Sequence, residues 1–272
     1  MSFTVQQGGW RQPGNAMRFA GAGAEFRFPF QSFSDAAAFH DFMTANRTLI
    51  DMRYAYESAL AAHVQAQLLI STGSCGLCLR ATEFATFVPE KTEGGAVRAP
   101  NFREEQACGC ADGLNARFRG LLQFIYGEIG VFPWMRVLVL GAAQCIEPRL
   151  RPLVASLCAQ ARSGQVGEAC QVGNPPYHLI IASEYLHAVP LLGDTLAALH
   201  GALVPGGHLL FTAPFETAAA VSRAHDDGPV LGWDILDLLA ASGFAAAAAH
   251  LFWSEEFGYL GPFNMIFSAA AV

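Results

Sequence analysis

Short apolar runs separated by a helical segment mark the C-terminal half of the chain. Three runs, MRVLVLG ending at Gly141, YHLIIAS at 177–183 and HLLFTAP after a PGG turn, are typical of buried parallel strands. Residues 191–203, between the second and third runs, have the pattern of a helix. Strand, helix and strand in this order predict a βαβ unit and therefore a parallel α/β sheet. A further helix is predicted at 233–242, and an antiparallel pair of strands around 247–253 and 263–269.

The N-terminal half has a different pattern. Residues 1–31 are rich in Gly, Phe and Gln without a sustained period, so we expect an extended arm with little regular structure. From Ser34, a candidate N-cap followed by Asp35, to about Leu69, apolar residues recur at helical spacing and predict one or two helices. A hairpin is predicted at 83–89 and an amphipathic helix at 114–129. The change of pattern at Pro133 divides the chain into an N-terminal part, residues 1–132, and an α/β domain, residues 133–272.

Composition excludes several classes of protein. Of 272 residues, 53% are hydrophobic and 14% charged, which is enough apolar material for a folded core. The net charge of -7 and the absence of a basic run argue against nucleic acid as a partner. The start of the chain does not resemble a secretory signal, and no uninterrupted apolar stretch is long enough to span a membrane. We therefore expect a soluble cytoplasmic protein without membrane contact.

Seven cysteines, an odd number, favour reduced thiols or a metal site over a disulfide framework. Four of them form two close pairs, CxxC and CxC, at Cys75, Cys78, Cys108 and Cys110. Four thiolates suit tetrahedral structural zinc, with Asp112 or a histidine as a substitute ligand. The alternative is that they are ordinary buried thiols. Cys145, Cys158 and Cys170 have no such pairing, and we expect them in the core or in turns.

The segment YHLIIASEYLHAVPLLGDTLAALHGALVPGGHLLFTAPF resembles the fourth strand, pocket loop, helix, LxPGG turn and fifth strand of class I S-adenosylmethionine (SAM)-dependent methyltransferases. GWDILDLLAASGF and LFWSEEFGYLGPFNMIF resemble the closing helix and hairpin of one subgroup, and NFREEQACGCADGLNARFRG its N-terminal zinc-binding cysteine element. The resemblance covers about half of the chain well. It implies a Rossmann-like methyltransferase sheet, preceded here by a helical and zinc-binding region.

The resemblance also implies site residues. Gly141 matches the first glycine of the nucleotide-binding turn, while Ala143 and Cys145 stand at the next two glycine positions. Together with Ser183, these residues would bind SAM. Glu184, Tyr185 and His187 fall in the loop that lines the cofactor and substrate pocket, and would supply a catalytic base. A structural histidine hydrogen-bonded under a loop is an equally good interpretation of His187.

The chain departs from the family pattern in two ways. Val139 replaces a frequent acidic residue, so the cofactor motif is eroded. Only 35 residues, 142–176, separate the first and fourth strands, although each βαβ crossover needs about 30 and two are expected. At least one strand-helix unit is therefore predicted to be shortened or absent. The only acids there, Glu147 and Glu168, follow no clear strand, so no partner for the ribose is evident.

Two hypotheses follow. The first is a methyltransferase-like enzyme that acts on a small molecule in a biosynthetic pathway, or whose chemistry has drifted to a cyclisation or elimination. The second is a pseudo-methyltransferase that has lost SAM and forms a homodimer or docks on a protein partner, because an uncovered sheet edge needs covering. Two further groups have weaker claims: His225, Asp226 and Asp227 as a metal site or a solvated loop, and Trp253, Phe257 and Tyr259 as a stacking surface or core packing.

Overall fold

The computed structural model describes residues 30–63, 67–88, 99–109, 113–141, 145–160, 176–223, 229–261 and 264–272. The arm predicted over residues 1–31 therefore lies mostly outside the described residues. The N-terminal part contains, in order, β1 (Phe30–Phe33), α1 (Ala36–Ala45), α2 (Arg47–Ala61), β2 (Leu68–Cys75), β3 (Arg80–Phe87), α3 (Phe102–Glu105), β4 (Gln106–Cys108) and α4 (Ala116–Phe124). A π-helical turn, Ile125–Ile129, continues α4.

The C-terminal part has the alternation of strands and helices that the apolar runs predict. Its elements are β5 (Arg136–Gly141), α5 (Glu147–Leu150), a 3₁₀ turn (Arg151–Leu153), β6 (Ser156–Gln160), β7 (Tyr177–Ser183), a 3₁₀ turn (Leu186–Ala188), α6 (Leu192–Gly201), β8 (Leu203–Thr212), α7 (Asp234–Ala241), β9 (Phe244–Phe252) and β10 (Met265–Ala271). Between β5 and β6 the crossover helix α5 has only four residues. None of the described helices combines the length and apolar character needed to cross a membrane.

Seven strands form one mixed sheet in the order β1-β9-β10-β8-β7-β5-β6. Strands β6, β5, β7 and β8 are parallel, whereas β10, β9 and β1 add in antiparallel fashion. The parallel sheet and the terminal antiparallel pair are thus confirmed. Buried on both faces, β5 must be apolar at every position from Val137 to Leu140, where exposure is 1% or less.

The two faces of the sheet belong to two apolar cores, and N-terminal elements contribute to both. Leu138 and Leu140 of β5 join the core that also contains Phe39 of α1, whereas Val137 and Val139 face the core that contains the buried helix α4. Strand β1 pairs with β9. The division at residues 132 and 133 stays a prediction, and elements from both sides of it share one sheet.

The one or two helices predicted after Ser34 are confirmed as α1 and α2. Their predicted end at about Leu69 is wrong, because α2 ends at Ala61 and Leu68–Cys75 is strand β2 of a second, three-stranded antiparallel sheet in the order β2-β3-β4. Leu69 is buried and Ile70 is 45% exposed, an alternation that the short apolar run LLI conceals. In place of the hairpin predicted at 83–89, residues 83–87 belong to one strand, β3, which pairs with β2. Asp35, rather than Ser34, caps α1 by accepting from the backbone N of Ala38 at 2.8 Å.

Candidate functional site

The carboxyl ends of β5 and β7 define the candidate site. Strand β6 lies on one side of β5 and β7 on the other, so the strand order reverses between β5 and β7. Open α/β sheets bind ligands in the crevice outside such a switch point. Gly141 ends β5 opposite Ser183 of β7, and Ser183 in turn lies opposite Thr212 of β8. The structure therefore brings together Gly141, Ser183 and the loop that follows Ser183.

Gly141 is required by the approach of the two strands. Its φ is +80°, and a Cβ at this position would overlap the carbonyl oxygen of Ser183. A residue with a side chain would therefore have to move β7. The glycine is explained by this contact without a ligand. Of the other residues predicted for the cofactor turn, Ala143 lies outside the described residues and Cys145 is exposed just before α5.

Ser183 is fully buried, and its hydroxyl is held by two side chains. Nη1 of Arg117, from α4, donates to Oγ at 2.7 Å, and Oγ1 of Thr212 lies at 3.2 Å. The rest of the Arg117 guanidinium binds Glu104 of α3, with Nε 2.8 Å from Oε1 and Nη2 2.9 Å from Oε2. Because its residue is only 7% exposed, this guanidinium is a buried charge that needs such pairing.

Glu184 follows Ser183 in a left-handed backbone conformation, with φ at +49°. Its backbone N donates to the carbonyl of Thr212 at 2.9 Å. Its Oε1 accepts from Nη2 of Arg103 at 3.0 Å and lies 3.8 Å from Nη1 of Arg117. Arg103 also reaches Glu104, with Nη1 3.2 Å from Oε1. Arg103, Arg117, Glu104 and Glu184 form what we call the arginine-glutamate cluster, whose formal charge is zero.

The other two predicted catalytic residues flank this cluster. Nδ1 of His187 lies 3.7 Å from Oε2 of Glu184, is buried, and has no hydrogen-bond partner among the described residues. Tyr185 is 6% exposed and packs in the apolar core that contains Leu138 and Leu140 of β5. Glu184 and His187 are therefore better placed than Tyr185 to meet a ligand at the crevice.

Arg103, Glu104 and Arg117 were not predicted as site residues. They come from the N-terminal part, at positions distant in sequence from the strands. One signal was present in the helix predicted at 114–129, which carries arginines within an apolar pattern at ARFRG. The second of them, Arg119, is fully buried and structural, because it donates to the carbonyls of Leu114, Phe257 and Gly258.

Three of the four predicted zinc ligands converge. Cys75, Cys78 and Cys108 pack around Phe84 in one small apolar cluster, and Cys110 lies outside the described residues. In the described part of the chain, no group of three or more His, Cys, Asp or Glu residues could hold a metal. The described residues thus do not support zinc, and the packing of Cys75 and Cys108, both buried beside an aromatic ring, is that of apolar side chains.

The weaker candidates separate as follows. His225, Asp226 and Asp227 lie outside the described residues. Trp253 donates from Nε1 to Glu57 at 2.6 Å and lies under the guanidinium of Arg53 at 4.7 Å. Phe257 and Tyr259 are 5% and 0% exposed and belong to the apolar core that contains helix α4. The contacts that these three aromatic side chains make within the chain support the interpretation as packing rather than as a stacking surface.

Comparisons with known proteins give a consistent but distant likeness. No protein-family model matches the sequence, and no curated protein matches it. The solved carbon methyltransferase of CurJ is 18% identical with a TM-score of 0.40, over 57% of this chain and 54% of that one. A SAM-dependent methyltransferase from Mesorhizobium loti is 17% identical with a TM-score of 0.35, over 52% and 92%.

The N-methyltransferase NodS from Bradyrhizobium japonicum, in complex with S-adenosyl-L-homocysteine (SAH), is 17% identical with a TM-score of 0.34, over 55% of this chain and 82% of that one. This chain spans about half the length of the CurJ enzyme. Identities below 20% and TM-scores of 0.40 or less are too low to assign a site residue or an activity to this chain.

Proposed function

We propose that this chain is a SAM-dependent methyltransferase-like enzyme that acts on a small molecule in a biosynthetic pathway. The observation that carries the proposal is Glu184: a residue with a side chain, held in a left-handed conformation, at the sheet's switch point and among charged partners. Such a conformation costs about 1 to 3 kcal/mol and persists at functional sites.

The arginine-glutamate cluster fits the charges of the amino-acid end of SAM. A carboxylate would meet the guanidinium of Arg117, and an ammonium the carboxylate of Glu184. Bound SAM would supply an electrophilic methyl group. A partner for the ribose is not assigned, because Glu147 already binds Arg151 in the first crossover, with Nε 3.0 Å from Oε1, and Glu168 lies outside the described residues.

Glu184 and His187 would handle protons. A general base is required if the acceptor atom carries a proton, and it must be within hydrogen-bond reach of that atom. Nδ1 of His187 lies 3.7 Å from Oε2 of Glu184, so a proton that His187 removes from the acceptor would be held beside a carboxylate. Tyr185 is the third candidate. The same pair would serve a cyclisation or an elimination in which a base removes a proton from the substrate.

The second candidate function is a pseudo-methyltransferase that serves as a partner or scaffold protein, alone or as a homodimer. One observation favours it: the hydroxyl of Ser183 is bonded by Arg117 and Thr212, so at this point the crevice is filled by the chain itself.

Structural zinc at Cys75, Cys78, Cys108 and Cys110 is also proposed, on the CxxC and CxC spacing of the sequence alone. We further propose that the protein works in the cytoplasm without membrane or nucleic-acid partners. The net charge of -7 supports the absence of a nucleic-acid partner, since it would repel a polyanion.

Calorimetry with SAM and SAH tests the main proposal. Micromolar binding that weakens at least tenfold in Glu184→Gln, but not in the control Glu216→Gln, would support the enzyme; Glu216 is an exposed acid outside the cluster. No binding at millimolar ligand would contradict SAM use and favour the pseudo-methyltransferase.

Zinc content of the same preparation, compared between Cys108→Ser and the exposed control Cys145→Ser, tests the metal site.

A further inference from the structure

A tight turn between β2 and β3 begins at Cys75 and contains Cys78. The backbone N of Leu79 donates to the carbonyl of Cys75 at 2.8 Å, and Leu79 has a left-handed φ of +52°. A bond of this kind closes one helical turn. Residues three apart in such a turn have Cβ atoms about 5 to 6 Å apart, and a disulfide needs about 3.5 to 4.5 Å. The two thiols therefore lie close to the geometry that a disulfide requires.

The two cysteines of this turn differ in exposure. Cys75 is 1% exposed, whereas Cys78 is partly exposed, and both belong to the small apolar cluster around Phe84. Thiol-disulfide exchange needs one thiol that a dissolved disulfide can reach and a second thiol that then attacks the first. Cys78 fits the first role. Cys75, shielded from solvent, fits the second.

Gly76 holds the turn against helix α4. A Cβ at Gly76 would lie 2.5 Å from Oε1 of Gln123, which accepts from the hydroxyl of the fully buried Tyr259. Gln123 is itself only 6% exposed, so it has little room to move aside. The turn is thus fixed by its contact with the core, and the two cysteines need little rearrangement to form a bond.

A buried positive charge lies beside the cluster. The guanidinium of Arg119 lies 4.4 Å from the ring of Phe84 and donates to backbone carbonyls, and no carboxylate of the described residues forms an ion pair with it. Burial raises the pKa of Tyr259 and Arg119 lowers it. The thiols of Cys75 and Cys108 raise the pKa of the same phenol, so they lie near this guanidinium as well. A cation near a thiol favours the thiolate, which is the form that attacks a disulfide.

We propose that Cys75 and Cys78 are a reversible dithiol-disulfide pair that reacts with a low-molecular-weight disulfide such as glutathione disulfide. The thiolate of Cys78 attacks one sulfur of the small disulfide, which forms a mixed disulfide and displaces one small thiolate. The thiolate of Cys75 then attacks Sγ of Cys78, closes the bond between the two cysteines and displaces the second small thiolate. The two electrons and two protons that the protein loses are recovered in the two small thiols. The reaction goes beyond the proposed methyl transfer and does not depend on it, and zinc bound to the same thiols would block it.

Peptide mapping tests the proposal on the full chain, equilibrated with glutathione and glutathione disulfide in the presence of a zinc chelator. Trypsin leaves Cys75 and Cys78 together in peptide 54–80, and Cys108 in peptide 104–117. The expected product is peptide 54–80 lighter by two hydrogens and inert to an alkylating agent, and excess glutathione should reverse the change. Cross-linking of the two peptides, or alkylation of both thiols of peptide 54–80 at the most oxidising ratio, would overturn the proposal.

The folded chain is compared with the same chain in urea, because any close pair of cysteines can form some disulfide. The equilibrium constant for closing peptide 54–80 should be at least tenfold greater in the folded chain. Equal constants would show that the fold does not organise the pair.

Two variants separate the roles of the cysteines. In Cys75→Ala, glutathione should stay on Cys78, at least tenfold more than in wild type, because the thiol that displaces it is gone. In Cys78→Ala, no glutathione should be found on the buried Cys75, and its presence there would contradict the assigned roles. The control Cys145→Ala removes an exposed cysteine and should leave peptide 54–80 as in wild type. If Cys75→Ala does not fold, the wild-type map and Cys78→Ala decide.

Discussion

His250 should make the fold sensitive to mild acid. It lies in β9, 6% exposed, with Nδ1 2.7 Å from Oγ of Ser32 in β1 and Nε2 2.7 Å from Oγ of Ser268 in β10. The imidazole thus joins three neighbouring strands at the edge of the sheet. Burial lowers the pKa of His250 from 6.5 to about 4, because the protonated ring would be a charge without water.

The sign and size of the effect follow from the two pKa values. Above pH 6.5 the ring is neutral in both the folded and the unfolded chain. Between pH 6.5 and about 4 only the unfolded chain binds the proton, so the free energy of unfolding falls as the pH falls. At about 1.4 kcal/mol per pH unit, the loss amounts to about 3 kcal/mol, and it stops below pH 4, where both states are protonated.

Urea unfolding at intervals between pH 7.5 and 4.5 measures this loss. The variant His250→Gln keeps a polar side chain but cannot titrate, so wild type should lose about 2 to 3 kcal/mol relative to it across the range. The control His63→Gln changes an exposed histidine and should run parallel to wild type. If the wild-type and His250→Gln curves stay parallel, His250 is not held neutral by burial and the argument is wrong.

Three further predictions concern the crevice. Arg117→Met should lower the free energy of unfolding by about 2 to 3 kcal/mol in a denaturant titration, because it leaves Glu104 without its main partner; a loss below about 1 kcal/mol would contradict the pairing. Gly141→Ala should cost about 2 to 4 kcal/mol through its contact with the Ser183 carbonyl and its positive φ, and a thermal shift matching that of Gly201→Ala, where a Cβ meets nothing, would refute this. Glu184→Asn should change stability by less than about 1 kcal/mol, since Asn accepts the left-handed conformation, yet reduce SAM binding at least tenfold in calorimetry.

The α/β part of the fold was predictable because its signal is local. Parallel strands buried on both faces must be continuously apolar, and the runs that end at Gly141 and Ser183 are strands β5 and β7. The turn at PGG likewise marks β8, although that strand begins earlier, at Leu203, than the run alone indicates. Here the apolar pattern of a short segment is sufficient to identify the strand.

Strand β2 and the role of Arg117 were not predictable for the opposite reason. The short apolar run Leu68, Leu69 and Ile70 is compatible with the end of a helix and with the start of a strand. Only its pairing with β3 shows that it is a strand. An arginine in an amphipathic helix usually faces water. The burial of Arg117 depends on its contacts with Glu104 and Ser183, which are 13 and 66 positions away in sequence. No periodic pattern in the sequence predicts that these residues lie close together.

The chemistry of the crevice is therefore set from outside the α/β alternation. Strand β7 and the loop after it supply Ser183 and Glu184, but the charges that hold them come from α3 and α4 in the N-terminal part. These ion pairs offset the cost of the left-handed conformation of Glu184, about 1 to 3 kcal/mol, and they pair its partly buried carboxylate with the guanidiniums of Arg103 and Arg117. A ligand that binds here must replace contacts rather than fill a void. The affinity of such a ligand then depends on how well its charged groups replace the partners that Arg117 and Glu184 already have within the cluster.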